Sequence, residues 1–231
     1  MKKTYVLVHG ACRSARSWGA VQTSLVAAGH RVETPTLTGV GEKAHLLNPD
    51  VNLTTFIRDI VDVIETSALA NVILIGHSFS GLVVSGVADR IGDRLKHLVF
   101  LDALIPVSGK SAFDLLPPHV AVERRRLARA SASGLVFPDE PIGAWPTDVI
   151  SELSTSHPLK SYEEPIHLRY PVGNMVPVTY LACTAPLNSK LANSHAYARQ
   201  MMPHWQFVEL CAPHDAMIYE PDLVAEHILD L

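Results

Sequence analysis

The stretch that decides the fold is NVILIGHSFSG, residues 71–81. Residues 72–76 are typical of a buried strand that ends at a glycine, and a helical pattern begins after Gly81. A strand, a sharp turn and a helix with the spacing G-x-S-x-G expose a nucleophilic serine at the end of the strand. Ser80 stands where the motif has its second glycine, and a serine side chain is only slightly larger than that of glycine. We therefore predict that Ser78 is a nucleophile and that only the size of Ser80 matters.

Strands and helices alternate on both sides of this stretch. Apolar and β-branched runs predict strands at residues 4–8, 31–34, 72–75, 95–101, 178–183 and 206–211. Helical spacing predicts helices at residues 17–28, 53–67, 82–91, 191–202 and 220–231. This alternation predicts an α/β fold whose mostly parallel six-stranded sheet carries helices on both faces.

The alternation is interrupted after the fourth strand. Prolines recur between residues 105 and 177, with helical pieces at residues 120–132 and 147–155. We interpret residues 105–176 as an inserted helical cap on a core formed by residues 1–104 and 177–231. A chain of 231 residues, 48% of them hydrophobic, suits a single domain of this kind.

The charge and the cysteine content limit the partners and the compartment. The formal net charge is −4 and the only basic cluster, residues 124–126, reads as a solvated helix face, so no nucleic acid or membrane partner is expected. No apolar run approaches the ~20 residues of a membrane span, and no targeting segment is visible. Three widely spaced cysteines favour a reducing compartment, so we expect a cytoplasmic protein. A homodimer is the one protein–protein assembly that we keep as an expectation.

The loops after the first and last strands supply candidate partners for Ser78. The oxyanion of an ester reaction needs two N–H donors, which we assign to the backbone of Phe79 and of Ala11, after the sharp turn at Gly10. The general base belongs after the last strand, where His214 stands. His195 falls on a predicted helix and fits the base less well. Twelve histidines without a ligand motif give no reason to expect a metal or a cofactor.

The acid that orients the base is harder to place. The loop after the strand that ends at Cys183 contains no Asp or Glu. Asp102 follows the fourth strand, next to the serine strand, at the edge where ligands gather in parallel sheets. We predict Asp102 as the acid, with Asp215 or a carboxylate of the cap as the alternatives.

Four segments together resemble a known family: VLVHGACRSARSW, GHSFSG, LVFLDALIP and PHDAM. They are similar to the α/β-hydrolase superfamily, and within it to the esterase and hydroxynitrile lyase group, which includes plant methyl-ester hydrolases and small bacterial esterases. The resemblance spans nearly the whole chain and implies a serine hydrolase with Ser78 and His214 as nucleophile and base. The sequence departs from the family at Ser80 and in lacking the usual acid after Cys183.

The predicted activity is hydrolysis of a small or medium, apolar or aromatic carboxylic ester through an acyl-enzyme, without a cofactor. The residues predicted to contact the substrate are Gly10, Cys12, Leu104, Phe113, Phe137 and Trp145. The alternatives are a hydroxynitrile lyase and a non-catalytic, ligand-binding relative. In the lyases of this group a lysine follows the histidine and a threonine follows His-Gly, whereas this chain has Asp215 and Ala11. These two residues favour ester hydrolysis over cyanohydrin cleavage.

Overall fold

The secondary structure comes from a computed structural model, which describes residues 2–139, 152–202 and 204–231. The strands are β1 (Thr4–Val8), β2 (Arg31–Glu33), β3 (Val72–His77), β4 (Leu95–Leu101), β5 (Val136–Phe137), β6 (His157–Pro158), β7 (Val178–Cys183) and β8 (Gln206–Leu210). The α-helices are α1 (Gly19–Ala27), α2 (Leu53–Thr66), α3 (Ser80–Ile91), α4 (Ala112–Leu115), α5 (Pro118–Ala130), α6 (Lys160–Glu163), α7 (Ala192–Gln200), α8 (Ala216–Tyr219) and α9 (Pro221–Leu229).

Six strands form one parallel sheet in the order β2-β1-β3-β4-β7-β8. Each of the six was predicted from the sequence, three of them with the same ends and β2, β3 and β8 with one end that differs by one or two residues. The largest difference is at β3, which continues to His77, while α3 begins at Ser80. The turn between them is short because Phe79 already has helical dihedral angles, with φ −50° and ψ −37°.

Both faces of the sheet are covered, and successive residues of a strand enter opposite cores. In β3, Val72 and Leu74 belong to the core that contains α2 and α3. Ile73 and Ile75 belong to the second core, which contains α1 and α9. All four side chains are fully buried, and each contributes about 1.5–3 kcal/mol to folding. A buried, two-sided strand is why residues 72–75 read as a continuous apolar run.

The last predicted helix is present, and a short helix that was not predicted precedes it. The sequence predicts a helix over residues 220–231, which the structure has as α9, beginning at Pro221, directly after α8. Proline lacks the N–H that a continuous helix would need and clashes with the preceding turn, so it starts a new helix at its first position. The short α8 follows directly on the loop that carries His214.

The predicted cap contains more than helices. Residues 105–139 and 152–176 carry α4, α5 and α6, together with the antiparallel pair of two-residue strands β5 and β6. Pro158 lies in β6, at a point where a sequence rich in proline gave no strand signal. The helix predicted at residues 147–155 falls largely outside the described residues. The division into core and cap remains a prediction.

The carboxyl ends of the parallel strands meet at one edge of the sheet. Ser78 follows β3, Asp102 follows β4 and His214 stands in the loop after β8. Ligands of open parallel sheets bind at this edge, so the topology alone brings the three predicted residues together. Within the residues that the structure describes, none of the helices combines the length and the apolar character that a bilayer crossing requires.

Candidate active site

Ser78 stands on a strained turn between β3 and α3. Its φ is +54°, a value that side-chain-bearing residues adopt only when the surroundings impose it. The backbone N–H of Ser78 donates to Leu101 O at 3.2 Å, and its carbonyl accepts from Leu104 N at 2.9 Å. These bonds tie the turn to the end of β4. The residue is only partly buried, so its hydroxyl is accessible to a substrate.

Two glycines make room for this turn. A Cβ on Gly10 would stand 2.6 Å from His77 Nδ1 and 3.0 Å from Ser78 Cβ. A Cβ on Gly81 would stand 1.9 Å from Leu104 O, in the loop that follows Asp102. Gly10 therefore lets the loop after β1 approach the serine, and Gly81 lets α3 approach the loop after β4. The prediction that Gly10 contacts the substrate is not tested by this geometry.

Asp102 and His214 form a hydrogen-bonded series with Ser78. His214 Nε2 lies 2.9 Å from Ser78 Oγ, and His214 Nδ1 lies 2.5 Å from Asp102 Oδ2. Asp102 is fully buried and has a φ of +41°, with its N–H donating to Leu181 O at 2.7 Å. The three residues thus have the order that nucleophile, base and acid need in a serine hydrolase.

A second histidine contacts Asp102, which the sequence did not suggest. His195 Nε2 lies 2.7 Å from Asp102 Oδ1, which also accepts from Cys183 N at 3.2 Å. Burial alone would raise the pKa of Asp102, but the hydrogen bonds from His195 and His214 outweigh it and lower the pKa to about 2. Its carboxylate is therefore charged near neutral pH. A signal existed, since His195 lies in the first turn of a helix that follows a central strand.

Two carboxylates and one buried cation influence the pKa of His214. Burial lowers the pKa of His214, but the hydrogen bond and charge of Asp102 raise it further, with a contribution from Asp215, so the net pKa is above the ordinary value. Arg13 opposes this effect, because its guanidinium binds the Asp215 carboxylate with Nε–Oδ1 and Nη2–Oδ2 distances of 3.3 and 3.0 Å. The charge of Asp215 is thus largely compensated by a buried cation.

Arg13 joins three segments that lie far apart in the sequence. Besides Asp215, its guanidinium binds Asp139 at 2.5 Å and the carbonyl of Cys12 at 3.1 Å. The pair with Asp215 is almost fully buried, where loss of one partner costs far more than in a surface pair. Arg13 therefore connects the loop after β1, the loop that bears His214 and the end of β5. No motif in the sequence pointed to this residue.

His77, which precedes the serine, contacts the loop that carries the base. Its Nε2 lies 2.9 Å from the carbonyl of His214, and the two rings are 4.7 Å apart. Burial lowers the pKa of His77 to about 3, so the ring is neutral and its Nε2–H donates to that carbonyl. His77 thereby supports the backbone of the loop that holds His214.

The two predicted oxyanion donors stand on either side of Ser78 in the fold. Among the described residues, the backbone N–H groups of Ala11 and Phe79 have no hydrogen-bond partner. Ala11 lines the same pocket as Ser78, and Phe79 follows it in the chain. Unpaired donors beside a nucleophile are what a developing oxyanion requires. Their role remains a prediction.

A narrow pocket contains Ser78 and His214, with a cavity volume of about 40 Å³ and about 450 Å³ when the space open to solvent is included. The other lining residues are Ala11, Cys12, Arg13, His77, Arg124, Phe137, Pro138, Asp139, Tyr162, Lys190 and Asp215. The aromatic part of the wall carries a cation, since the Arg124 guanidinium lies 4.3 Å from the Tyr162 ring centre and 4.9 Å from that of Phe137.

Two of the predicted substrate contacts, Cys12 and Phe137, line this pocket. Leu104 and Phe113 belong instead to the buried core beside it, and Gly10 is not part of the lining. Trp145 lies outside the described residues. The walls are more polar than the sequence suggested, because charged side chains from the loop after β1 and from α5 reach the pocket along with the aromatic rings.

The expectation that only the size of Ser80 matters is wrong. Ser80 is fully buried, and its Oγ donates a hydrogen bond to the carbonyl of His9, in the loop after β1. The hydroxyl therefore connects the start of α3 to the loop that carries Ala11. A glycine at this position, as in the usual motif, has no group that could make this bond.

Replacing Ser80 with alanine is expected to lower the free energy of unfolding by about 1–3 kcal/mol, because the His9 carbonyl would lose its donor in a buried place. Urea unfolding measures the effect. Ser85→Ala is the matched control, since the Ser85 hydroxyl donates at 2.7 Å to Gly81 O, a carbonyl inside the same helix. Equal midpoints for Ser80→Ala and the wild type would contradict the structural role of this hydroxyl.

A parallel sheet with a serine, a histidine and an aspartate in series at its carboxyl edge is the arrangement that serine hydrolases of the α/β class share. Residues 5–227 match the sequence model of the alpha/beta hydrolase family. The chain belongs to this family. The predicted α/β-hydrolase fold is confirmed.

Relatives define the group within the family. The carbendazim hydrolyzing esterase of Nocardioides sp. (strain SG-4G) is 35% identical over 98% of this chain and 98% of its own length. Methyl jasmonate esterase 1 of Vitis vinifera is 30% identical over 64% of this chain and 56% of its own length. The resemblance to the esterase group and the prediction of a carboxylesterase-type enzyme are confirmed by these relatives.

A solved structure shares the whole fold. It is described as an extracellular alpha/beta-hydrolase from Paenibacillus species with structural and functional homology to tobacco salicylic acid binding protein 2. It is 24% identical, covers 99% of this chain and 98% of its own, and superposes with a TM-score of 0.85. At that identity the likeness concerns the fold alone.

Proposed function

We propose that this protein hydrolyses a small or medium carboxylic ester through an acyl-enzyme on Ser78. The observation that carries the proposal is the continuous series from Ser78 Oγ to His214 Nε2 at 2.9 Å and from His214 Nδ1 to Asp102 Oδ2 at 2.5 Å, opening on a pocket. Distances of 2.6–3.2 Å are those at which a base takes a proton from a nucleophile.

The reaction follows from this geometry. His214 accepts the proton of Ser78 as the hydroxyl oxygen attacks the ester carbonyl, and the N–H groups of Ala11 and Phe79 stabilise the resulting oxyanion. His214 then gives its proton to the departing alkoxide. A water molecule enters, loses a proton to His214 and releases the acid from Ser78. Throughout, the charge of Asp102 stabilises the imidazolium and fixes the ring.

The residues that line the pocket indicate which chemical groups the substrate contains. Phe137 and Tyr162 contribute aromatic side chains to the pocket lining, which supports an apolar or aromatic group in the ester. Both rings are almost fully buried, with Arg124 over each of them and Phe79 stacked on Tyr162 at 4.5 Å between ring centres. The carbendazim hydrolyzing esterase that is 35% identical over 98% of this chain supports a small-molecule ester as the substrate. The polar lining at Arg13, Asp139 and Lys190 adds hydrogen-bonding groups to the mouth of the pocket.

The remaining predictions rest on composition. A cytoplasmic location and the absence of a nucleic-acid partner are proposals that the free cysteines and the charge of −4 support. Cys12 and Cys183 are buried, and Cys211 is exposed. The proposed reaction uses only the residues of this chain and needs no cofactor.

The purified protein is expected to hydrolyse p-nitrophenyl acetate and butyrate and to release no cyanide from mandelonitrile above the uncatalysed rate. Although Lys190 lines the pocket, the residue after the base is an aspartate bound by Arg13, so no lysine stands where the lyases place theirs. A fluorophosphonate probe is expected to label Ser78, as peptide mass spectrometry measures. Cyanide release without ester hydrolysis would show that the protein is a lyase. The absence of both labelling and turnover would show that it is a binding protein.

A further inference from the structure

The carboxylate of Asp102 is held between two histidines that come from different elements. His214, in the loop after β8, approaches Oδ2 at 2.5 Å. His195, in the first turn of α7, approaches Oδ1 at 2.7 Å from the opposite side. All three side chains are buried, with exposed fractions of 0% for Asp102, 2% for His195 and 9% for His214. The proposed reaction uses only one of these two histidines.

The surroundings of His195 fix the position of its proton. Its Nε2 faces a charged carboxylate, which is only an acceptor, so Nε2 carries the proton and donates it. Its Nδ1 is buried and has no hydrogen-bond partner among the described residues. Its flank packs edge-on against Tyr180 with ring centres 5.5 Å apart, which leaves little freedom to turn away from Asp102.

We propose that His195 is a positioning residue of the active site, whose Nε2–H holds one oxygen of Asp102 so that the other oxygen stays aligned on Nδ1 of His214. This inference rests on the proposed function. Where the family's usual acid would follow the strand that ends at Cys183, this chain has none, and the helix after that strand instead supplies a donor to an acid on the neighbouring strand.

The hydrogen bond has two effects on the reaction. It prevents rotation of the carboxylate about its last bond, which would misalign Oδ2 and the imidazole. It also takes up part of the negative charge of Asp102, since hydrogen bonds to charged groups are among the strongest in proteins. Without it, more of that charge acts on the imidazolium of His214, which then holds its proton to higher pH.

The charged and titratable groups around the two rings set the pH at which His214 gains its proton. Those around His214 are Asp102 from the end of β4, Asp215 from its own loop, Arg13 from the loop after β1 and His77 from the end of β3. Those around His195 are Asp102 and the ring of Tyr180 from β7. Of the groups that the structure describes, only Asp102 faces both rings, so a change at His195 reaches His214 through that carboxylate.

The test compares three variants of the full chain with p-nitrophenyl butyrate as the probe, by pH-stat over a range of pH. His195→Leu has no donor and is expected to lower kcat by about 10- to 100-fold, the scale of one hydrogen bond to a charged group, with KM little changed. Its acid limb is expected to move to higher pH. His195→Gln places an amide N–H near Nε2 and is expected to recover most of kcat and the wild-type limb.

The matched control is Ser194→Ala, one residue away on α7. The Ser194 hydroxyl accepts from Ile105 N at 3.1 Å and does not contact Asp102. This variant is expected to lower the thermal midpoint and leave kcat and the acid limb unchanged. A His195→Leu protein with the kcat and acid limb of the wild type would overturn the proposal, as would a folded His195→Gln no more active than the leucine variant.

The protonation of His195 can also be measured on the wild-type protein, so this test does not depend on a variant that folds. Nitrogen-15 NMR of the imidazoles is expected to show a proton on Nε2 of His195, and an unprotonated Nε2 would overturn the proposal. The outcomes remain separate from those of the proposed function. Loss of activity in Ser78→Ala together with wild-type behaviour of His195→Leu would refute the positioning role alone, whereas an active Ser78→Ala would refute the mechanism itself.

Discussion

Ser78→Ala is expected to lower kcat for p-nitrophenyl butyrate by about 10⁶-fold, the loss seen when the nucleophile of a serine hydrolase is removed. The reason is that no other hydroxyl is hydrogen-bonded to His214 Nε2 among the described residues. The fold should be unaffected, because Ser78 is partly exposed and, in the part of the chain that the structure describes, its Oγ is hydrogen-bonded only to the base. Turnover and circular dichroism together measure the two expectations.

Ser85→Ala serves as the control for this experiment. Ser85 is buried on α3, seven residues after the proposed nucleophile, and its hydroxyl bonds only within the helix. Its kcat is expected to match that of the wild type. Near wild-type turnover in a well-folded Ser78→Ala protein would remove Ser78 from the mechanism and with it the acyl-enzyme.

The second large effect concerns the acid. Asp102→Asn is expected to lower kcat by about 10⁴-fold, because an amide cannot accept from His214 Nδ1, His195 Nε2 and Cys183 N at once and presents a donor to one of them. The base would then rest in the wrong tautomer. The measurement is kcat for p-nitrophenyl butyrate at a pH above the acid limb, where His214 of the wild type is neutral.

Asp215→Asn is the comparison that decides between the two candidate acids. Asp215 binds Arg13, and no hydrogen bond between its carboxylate and His214 is present among the described residues. Its replacement is expected to reduce kcat far less than Asp102→Asn and to lower stability more, since a buried guanidinium loses a charged partner. If Asp215→Asn were the more damaging to kcat, Asp102 would not be the acid.

The sequence predicted well the features that depend on local residue patterns, which are the strands and the turn at Ser78. The apolar run at residues 72–75 has to be a two-sided buried strand, and Gly76 and Gly81 mark its turn, so the sheet and the place of Ser78 followed from one short segment. Parallel topology then brings residues after β4 and β8 to the same edge. For this reason Asp102 and His214 could be predicted without any knowledge of their contacts.

The partners of these residues could not be predicted, because they depend on side chains that are far apart in sequence. His195 lies 93 residues from Asp102, and Arg13 lies 202 residues from Asp215. The hydroxyl of Ser80 reaches the carbonyl of His9 across 71 residues. Local spacing contains no information on such pairs, whose formation depends on how loops pack once the sheet has formed. The composition of the pocket wall was missed for the same reason.

The position of the acid after β4 has a consequence for how this scaffold can diversify. The connection between β7 and α7, residues 184–191, is released from carrying a carboxylate for the chemistry, yet Lys190 in it borders the pocket. Selection for a new substrate, in nature or in directed evolution, can therefore remodel that loop in length and composition. The reactive groups stay fixed on β3, β4 and the loop after β8, provided that α7 keeps its place against the sheet.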